Sequence, residues 1–261
     1  MAFALLRHAI RLVLTNWRDA LKISAVLYLM QAGFGAVVAL GVHPTAGDPG
    51  ASFVIIAAAI IQGIINIWIA VAWHRFVLLD ETPNNYVPMF NASRVLGYLG
   101  GSLLIGLVAA GVALVGLVVI GIFAVIHATI IAIPLAIVLM LVLIPIGYRL
   151  GMVLPAASVD HRLSLREAWA ATRGTTWLIL RLALIIVVAV LVLDSPVFLV
   201  GGIRNPNIAV EIWLTIVSWF ILLVGVALLT TMYGYYIEHR PIRGMPMPPG
   251  AVPPAAPTPA V

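Results

Sequence analysis

The sequence predicts an all-α, polytopic membrane protein with six transmembrane helices and two amphipathic interfacial helices. Three observations carry that class. Of the 261 residues, 63% are hydrophobic and only 9% charged, and the mean hydropathy is +1.16. Soluble domains hold about 25% charged residues, and this chain has too little polar sequence to cover an apolar core. The apolar residues come in runs of roughly 20, the length that crosses a hydrocarbon core. The cations, finally, fall on one side of those runs.

Residues 1–20 read as an N-terminal amphipathic helix. Phe3, Leu6, Ile10, Val13, Leu14 and Trp17 recur at helical spacing, with Arg7, Arg11, Arg18 and Lys22 on another stripe. Such a helix lies in the interface with its cations at anionic headgroups. The apolar run that follows is too long for a secretory signal, so the expectation is an uncleaved first span over 22–42. A Pro- and Gly-containing loop follows over 43–51, then a second span over 52–73, ending at His74-Arg75. Residues 95–150 contain one charge, Arg149, and fit two spans with a turn inside 121–129. A fifth span covers 177–193 and stops at Asp194-Ser195-Pro196. After a loop over 201–207, a sixth covers 208–237. The membrane domain is thus 21–240, and the eight prolines of 241–261 predict a disordered Pro-rich tail.

Charge fixes the orientation. With the N-terminus inside, 13 of the 14 Lys and Arg residues lie on the cytoplasmic side or at cytoplasmic helix ends, and only Arg204 lies outside. Cytoplasmic loops collect Lys and Arg in this way. The rule predicts an even number of spans and cytoplasmic termini. It also accounts for the net charge of +5 without nucleic acid, which would need a basic face on a soluble surface.

Between the fourth and fifth spans, residues 163–174 read as the second interfacial helix. Ser164-Leu165-Arg166-Glu167 fits a capping box, in which Ser and Glu each satisfy a free amide, and Gly174 fits a left-handed stop. Leu165, Ala168, Trp169 and Thr172 form one face, with Arg166 and Arg173 elsewhere. Within the spans, polar side chains are costly and face protein rather than lipid. Gln62 and Asn66 stand one turn apart, with Gln31 a prospective partner. They make either helix–helix hydrogen bonds or part of a polar substrate path. Arg149 and Arg181 sit one step inside helix ends, where snorkelling is open to both. Glu211 faces the headgroups or Arg204, and His127 lies at the outer turn. Gly97-x3-Gly101 and Gly147-x3-Gly151 have the small-residue spacing that lets helices approach, and Pro134 and Pro145 predict kinks in the fourth span.

Catalytic patterns are missing: there is no G-x-S-x-G, H-E-x-x-H, P-loop or G-x-G-x-x-G. Without cysteine there are no disulfides or thiolate metal sites. The expectation is therefore no enzyme, no metal and no cofactor. Membrane lipids are the expected partners, with another membrane protein or a second copy of the chain as further candidates.

Tyr148-Arg149-Leu150, Leu154-Pro155, Ser164-Leu165-Arg166-Glu167-Ala168-Trp169 and Thr172-Arg173-Gly174-Thr175-Thr176-Trp177 carry a resemblance. This pattern resembles the six-helix membrane domain associated with bacterial glycerophosphoryl diester phosphodiesterases and related inner-membrane proteins. Ala72-Trp73-His74-Arg75-Phe76-Val77-Leu78-Leu79 is similar to uncharacterised proteins of alphaproteobacterial type. The resemblance implies topology and a bacterial inner membrane. It does not imply phosphodiesterase activity, whose barrel alone takes about 250 residues. Two functions stay open: an accessory, scaffold or envelope-maintenance protein, and a small transporter with a polar site around Gln62 and Asn66.

Overall fold

The structure, a computed structural model, describes residues 1–41, 49–125, 129–199, 208–248 and 250. Expectations for His127, Arg204, most of the loop after the first span and the tail beyond 250 lie outside these residues. The described residues form nine helices: α1 (Ala2–Thr15), α2 (Trp17–Gly41), α3 (Pro49–Leu79), α4 (Ala92–Val125), α5 (Thr129–Leu150), α6 (Val153–Ser158), α7 (Leu165–Ala171), α8 (Thr176–Leu199) and α9 (Ile208–Tyr236). Six segments, carried by α2, α3, α4, α5 with α6, α8 and α9, are long and apolar enough to cross a membrane. Only a helix or a closed barrel satisfies its own backbone in hydrocarbon, and the described residues use helices alone.

Packing divides unevenly along the bundle. Within the apolar windows of the spans, only 6–22% of residues are buried by protein, which leaves their surface to lipid. The buried large side chains gather at one end, here called the base: Leu5, Ile69, Trp73, Met152, Ile179, Leu182, Leu228, Met232 and Tyr233 form one cluster. Helix α1, the end of α3, all of α6, the start of α8 and the end of α9 meet there.

Several expectations change. Helix α1 is not an interfacial helix alone. Leu5, Leu6, Ala9 and Val13 are buried, and its main partners are α9 and α8. Phe3 and Leu14 remain exposed. The apolar stripe is therefore shared between two neighbours, protein on one flank and open surface on the other.

Helix α3 does not stop at Trp73 but continues to Leu79, and both Trp73 and His74 are wholly buried. It ends at Asp80, in the left-handed region at φ 54, a conformation a short polar side chain tolerates. Asp160 closes the segment after α6 in the same way at φ 63.

Helix α8 runs through Pro196 instead of breaking. Proline has no N–H to give the carbonyl four residues back. That carbonyl, of Val192, accepts the Ser195 hydroxyl at 2.7 Å instead, and the next, of Leu193, accepts from Trp213 Nε1 at 3.0 Å.

The short helix α6 was not foreseen. Pro155 sits in its first turn, where the missing N–H costs nothing. Residues 241–248 are also not a free tail. Ile242 and Pro248 are buried, and Pro246 O accepts from Tyr235 Oη at 3.1 Å.

Candidate functional site

Among the described residues the base holds most of the polar contacts between elements, and arginine makes several of them. The last carbonyls of a helix have no partner within it, and a cation there also meets the negative end of the helix dipole. Arg75 donates from Nη1 to Ser158 O at 2.9 Å, the final residue of α6. Its other edge pairs with Glu81, with Nε to Oε2 at 2.8 Å. Arg240 donates to Leu78 O at 3.0 Å, near the end of α3. Arg94 at the start of α4 pairs with Asp160, which ties α4 to the segment after α6.

Arg149 does the same for α7 and is the most specific of these contacts. Its Nη2 donates to Trp169 O at 2.7 Å and its Nε to Thr172 Oγ1 at 3.2 Å. The guanidinium lies 3.5 Å from the centroid of the Trp169 ring, a cation–π geometry. Only 7% of Arg149 is exposed, which corrects the expectation of snorkelling. Arg181, by contrast, is exposed on α8.

At the other end of α7 the capping box is complete. Ser164 Oγ accepts the Glu167 amide at 3.2 Å, and Glu167 Oε2 accepts the Ser164 amide at 2.8 Å. The amide donation, with that of the Ser164 hydroxyl to Oε2 at 2.7 Å, holds the Glu167 carboxyl below the usual carboxylate range. Gly174, at φ 78, provides the turn into α8. The residues that carry the family resemblance thus meet one another: Arg149 with Trp169 and Thr172, and Ser164 with Glu167. Arg173 is exposed beside them.

A second polar node joins α3 to α9. His74 Nδ1 lies 2.8 Å from Thr230 Oγ1, and the ring stacks on Tyr98 of α4 at 5.8 Å. Thr230 gives its one hydroxyl proton to Val226 O at 2.9 Å. That assigns the imidazole proton to Nδ1 as donor and makes Nε2 a bare acceptor. Nε2 is buried and has no hydrogen-bond partner. A histidine beside a hydroxyl has the parts of a base and nucleophile, but this hydroxyl's proton is committed to backbone and no surface reaches the ring. The arrangement holds helices together. On the far side of α6, His161 Nδ1 lies 2.7 Å from Tyr233 Oη. In α1, burial and the neighbouring Arg11 lower the pKa of His8.

Of the predicted intramembrane residues, Arg149 stands in the base, whereas Gln31 lies on α2 and Gln62 and Asn66 on α3. Gln62 of α3 faces Gly35 of α2, whose added Cβ would stand 3.4 Å from Gln62 Nε2. Gln31, Gln62 and Asn66 are half-buried. Gln31 Oε1 and Asn66 Oδ1 are buried atoms without hydrogen-bond partners. Hollows open at the base instead, a small one of about 270 Å³ beside His8, Thr230 and Arg240. One of about 590 Å³ lies under the 80–91 loop, beside Arg75, Glu81 and Asn85. Another, about 680 Å³, lies between α4, α6 and α7, beside Arg94, Gly97, His161 and Glu167.

The glycines separate by role. Gly101 packs on α6, where a Cβ would stand 3.2 Å from Leu154 Cδ2, and Gly97 meets Ala157 more loosely at 3.9 Å. Gly151 leaves no room, since a Cβ would fall 2.7 Å from Gly147 O and 3.1 Å from Leu229 Cδ1. Gly147 itself faces open space, contrary to the expected close approach. Among the described residues, no group of three His, Asp or Glu is placed to hold a metal ion. His74, Tyr98 and Thr230 were missed as a set because no sequence pattern links residues so far apart. No protein-family model, curated protein or solved structure matches the chain.

Proposed function

We propose that this chain is a non-catalytic integral protein of a bacterial inner membrane. In this reading its base and both termini face the cytoplasm, and it acts as an accessory or scaffold component in envelope maintenance. The observation that carries the reading is the way the base uses its polar side chains. Arg75, Arg149 and Arg240 bind carbonyls near helix ends, His74 and His161 bind hydroxyls, and Arg94 binds Asp160. These groups build a rigid platform. The cation bias of the sequence supports the orientation, and the resemblance to the phosphodiesterase-associated membrane domain supports the bacterial inner membrane. Extraction from native membranes in mild detergent, followed by affinity purification, tests the role. A stoichiometric membrane partner is expected; recovery of the chain alone would count against a scaffold.

A second reading, a small transporter, rests on one specific observation. Gln31 Oε1 and Asn66 Oδ1 are buried at mid-span without partners, and unsatisfied polar atoms are costly in hydrocarbon. The reading predicts that Asn66→Leu abolishes uptake of a polar solute by reconstituted vesicles. Loss of partner recovery in that variant, with no uptake by the wild type, would favour the scaffold instead.

A further inference from the structure

A cation as enclosed as Arg149 is ordinarily paired with a carboxylate. Among the described residues none lies within ion-pair distance of it; its contacts are a carbonyl, a hydroxyl and an indole face. Those two hydrogen bonds use two of the five N–H donors a guanidinium carries. A second guanidinium, Arg173, is near enough for the two positive charges to repel. The result is a concentration of positive charge beside an exposed indole, with no anion supplied by the described residues.

The surroundings place this cluster at the membrane surface. On α8, Trp177, Leu184, Val188 and Leu191 are exposed along one helical stripe, the surface open to lipid, and exposed Arg181 shares it one turn in from Trp177. Tryptophan and snorkelling arginine mark the headgroup level.

We infer that Arg149 and Arg173, together with the Trp169 indole, bind the phosphate of an anionic membrane lipid. Phosphate suits a guanidinium, whose forked donors match its oxygens; the second positive charge of Arg173 favours an anion there, and the neighbouring indole suits the headgroup–acyl boundary. Binding would neutralise the repulsion between the two arginines and fasten α7 to α5, so the lipid acts as a structural ligand of the platform. The inference rests on the membrane-embedded reading above and specifies the ligand of one surface within it.

The test uses the full chain in mild neutral detergent. It is titrated with phosphatidylglycerol, phosphatidylcholine or inorganic phosphate, and bound lipid is read by native mass spectrometry. Wild-type protein is expected to retain phosphatidylglycerol over phosphatidylcholine, with salt weakening the preference. Arg173→Gln, an exposed position, should weaken phosphatidylglycerol binding by about fivefold with an unchanged thermal midpoint. Because Arg149 also holds α7, Arg149→Lys serves as the second variant: it keeps the charge, loses the fork and should also bind more weakly. Equal retention of the two lipids, or full retention by Arg173→Gln, would overturn the inference. Displacement of the lipid by millimolar inorganic phosphate would assign the site to a free anion and overturn it equally. None of these outcomes depends on partner recovery, so this inference and the scaffold reading fail separately.

Discussion

At the scale of single residues, the polar chemistry of the base depends on where each proton and donor is spent. Thr230 and Thr231 are neighbours on α9, both buried, yet they do different things. Thr231 returns its hydroxyl to Ala227 O within its own helix, whereas Thr230 also receives His74 across 156 residues of sequence. Thr230→Val should therefore strand the His74 donor and cost about 1–3 kcal/mol. Thr231→Val, losing only a bond inside the helix, should cost less. Thermal unfolding of the two variants in the same detergent compares them directly, and equal losses would deny the cross-helix role of Thr230. This node was not legible in the sequence. His74 stood beside Arg75 and read as the edge of a span, because nothing local reveals that α9 brings a hydroxyl to it. Arg149 was misjudged for a related reason. A lone arginine near a helix end looks free to snorkel until the Trp169 carbonyl and the Thr172 hydroxyl are seen to lie within its reach.

At the scale of elements, local signals succeed where the physics is local. The capping box of α7 was legible because Ser164 and Glu167 need only the geometry of one helical turn. Since Ser164 lowers the Glu167 pKa in the folded state, the cap's contribution is fully present above the ordinary glutamate range. It is lost as pH falls through the lowered value. Amide exchange across Leu165–Ala171 should accordingly quicken, relative to the rest of the base, only on acidification below that range. Glu167→Gln, which keeps an acceptor for the Ser164 amide but cannot titrate, should remove this pH dependence. Glycine gives a second comparison. Gly151 is closed in by the Gly147 carbonyl, so Gly151→Ala should destabilise the α5–α6 junction by about 1–3 kcal/mol. Gly106, with nothing within 4 Å, should accept alanine at no cost or with a gain of up to about 1 kcal/mol. Folded yield and thermal midpoint separate the two. Element ends were less legible than element existence. The Asp194-Ser195-Pro196 run looked like a stop, but a hydroxyl and an indole take up the two carbonyls at that turn of α8.

At the scale of the whole molecule, hydropathy was enough for six spans, because hydrocarbon leaves so few ways to satisfy a backbone. It was not enough for the base. Periodicity finds an apolar stripe on α1 but cannot divide it between protein and lipid, and the eight prolines of 241–261 hide the anchoring of Ile242. The packing makes α1 a structural member and not only an anchor. Leu5 is fully buried among α1's neighbours, so Leu5→Ala should cost about 2–5 kcal/mol and lower the melting temperature of the entire bundle. Exposed Phe3→Ala should leave melting unchanged.

We propose a six-span protein whose packed basic base faces the cytoplasm. The chain contains no cysteine, so single cysteines report position without background. Arg166→Cys places one thiol on α7 at the base, and Ile208→Cys places another at the start of α9, at the opposite end. Treatment of intact cells with a membrane-impermeant maleimide should label Ile208→Cys at once and Arg166→Cys only after permeabilisation. Labelling of Arg166→Cys in intact cells, with Ile208→Cys protected, would contradict the account.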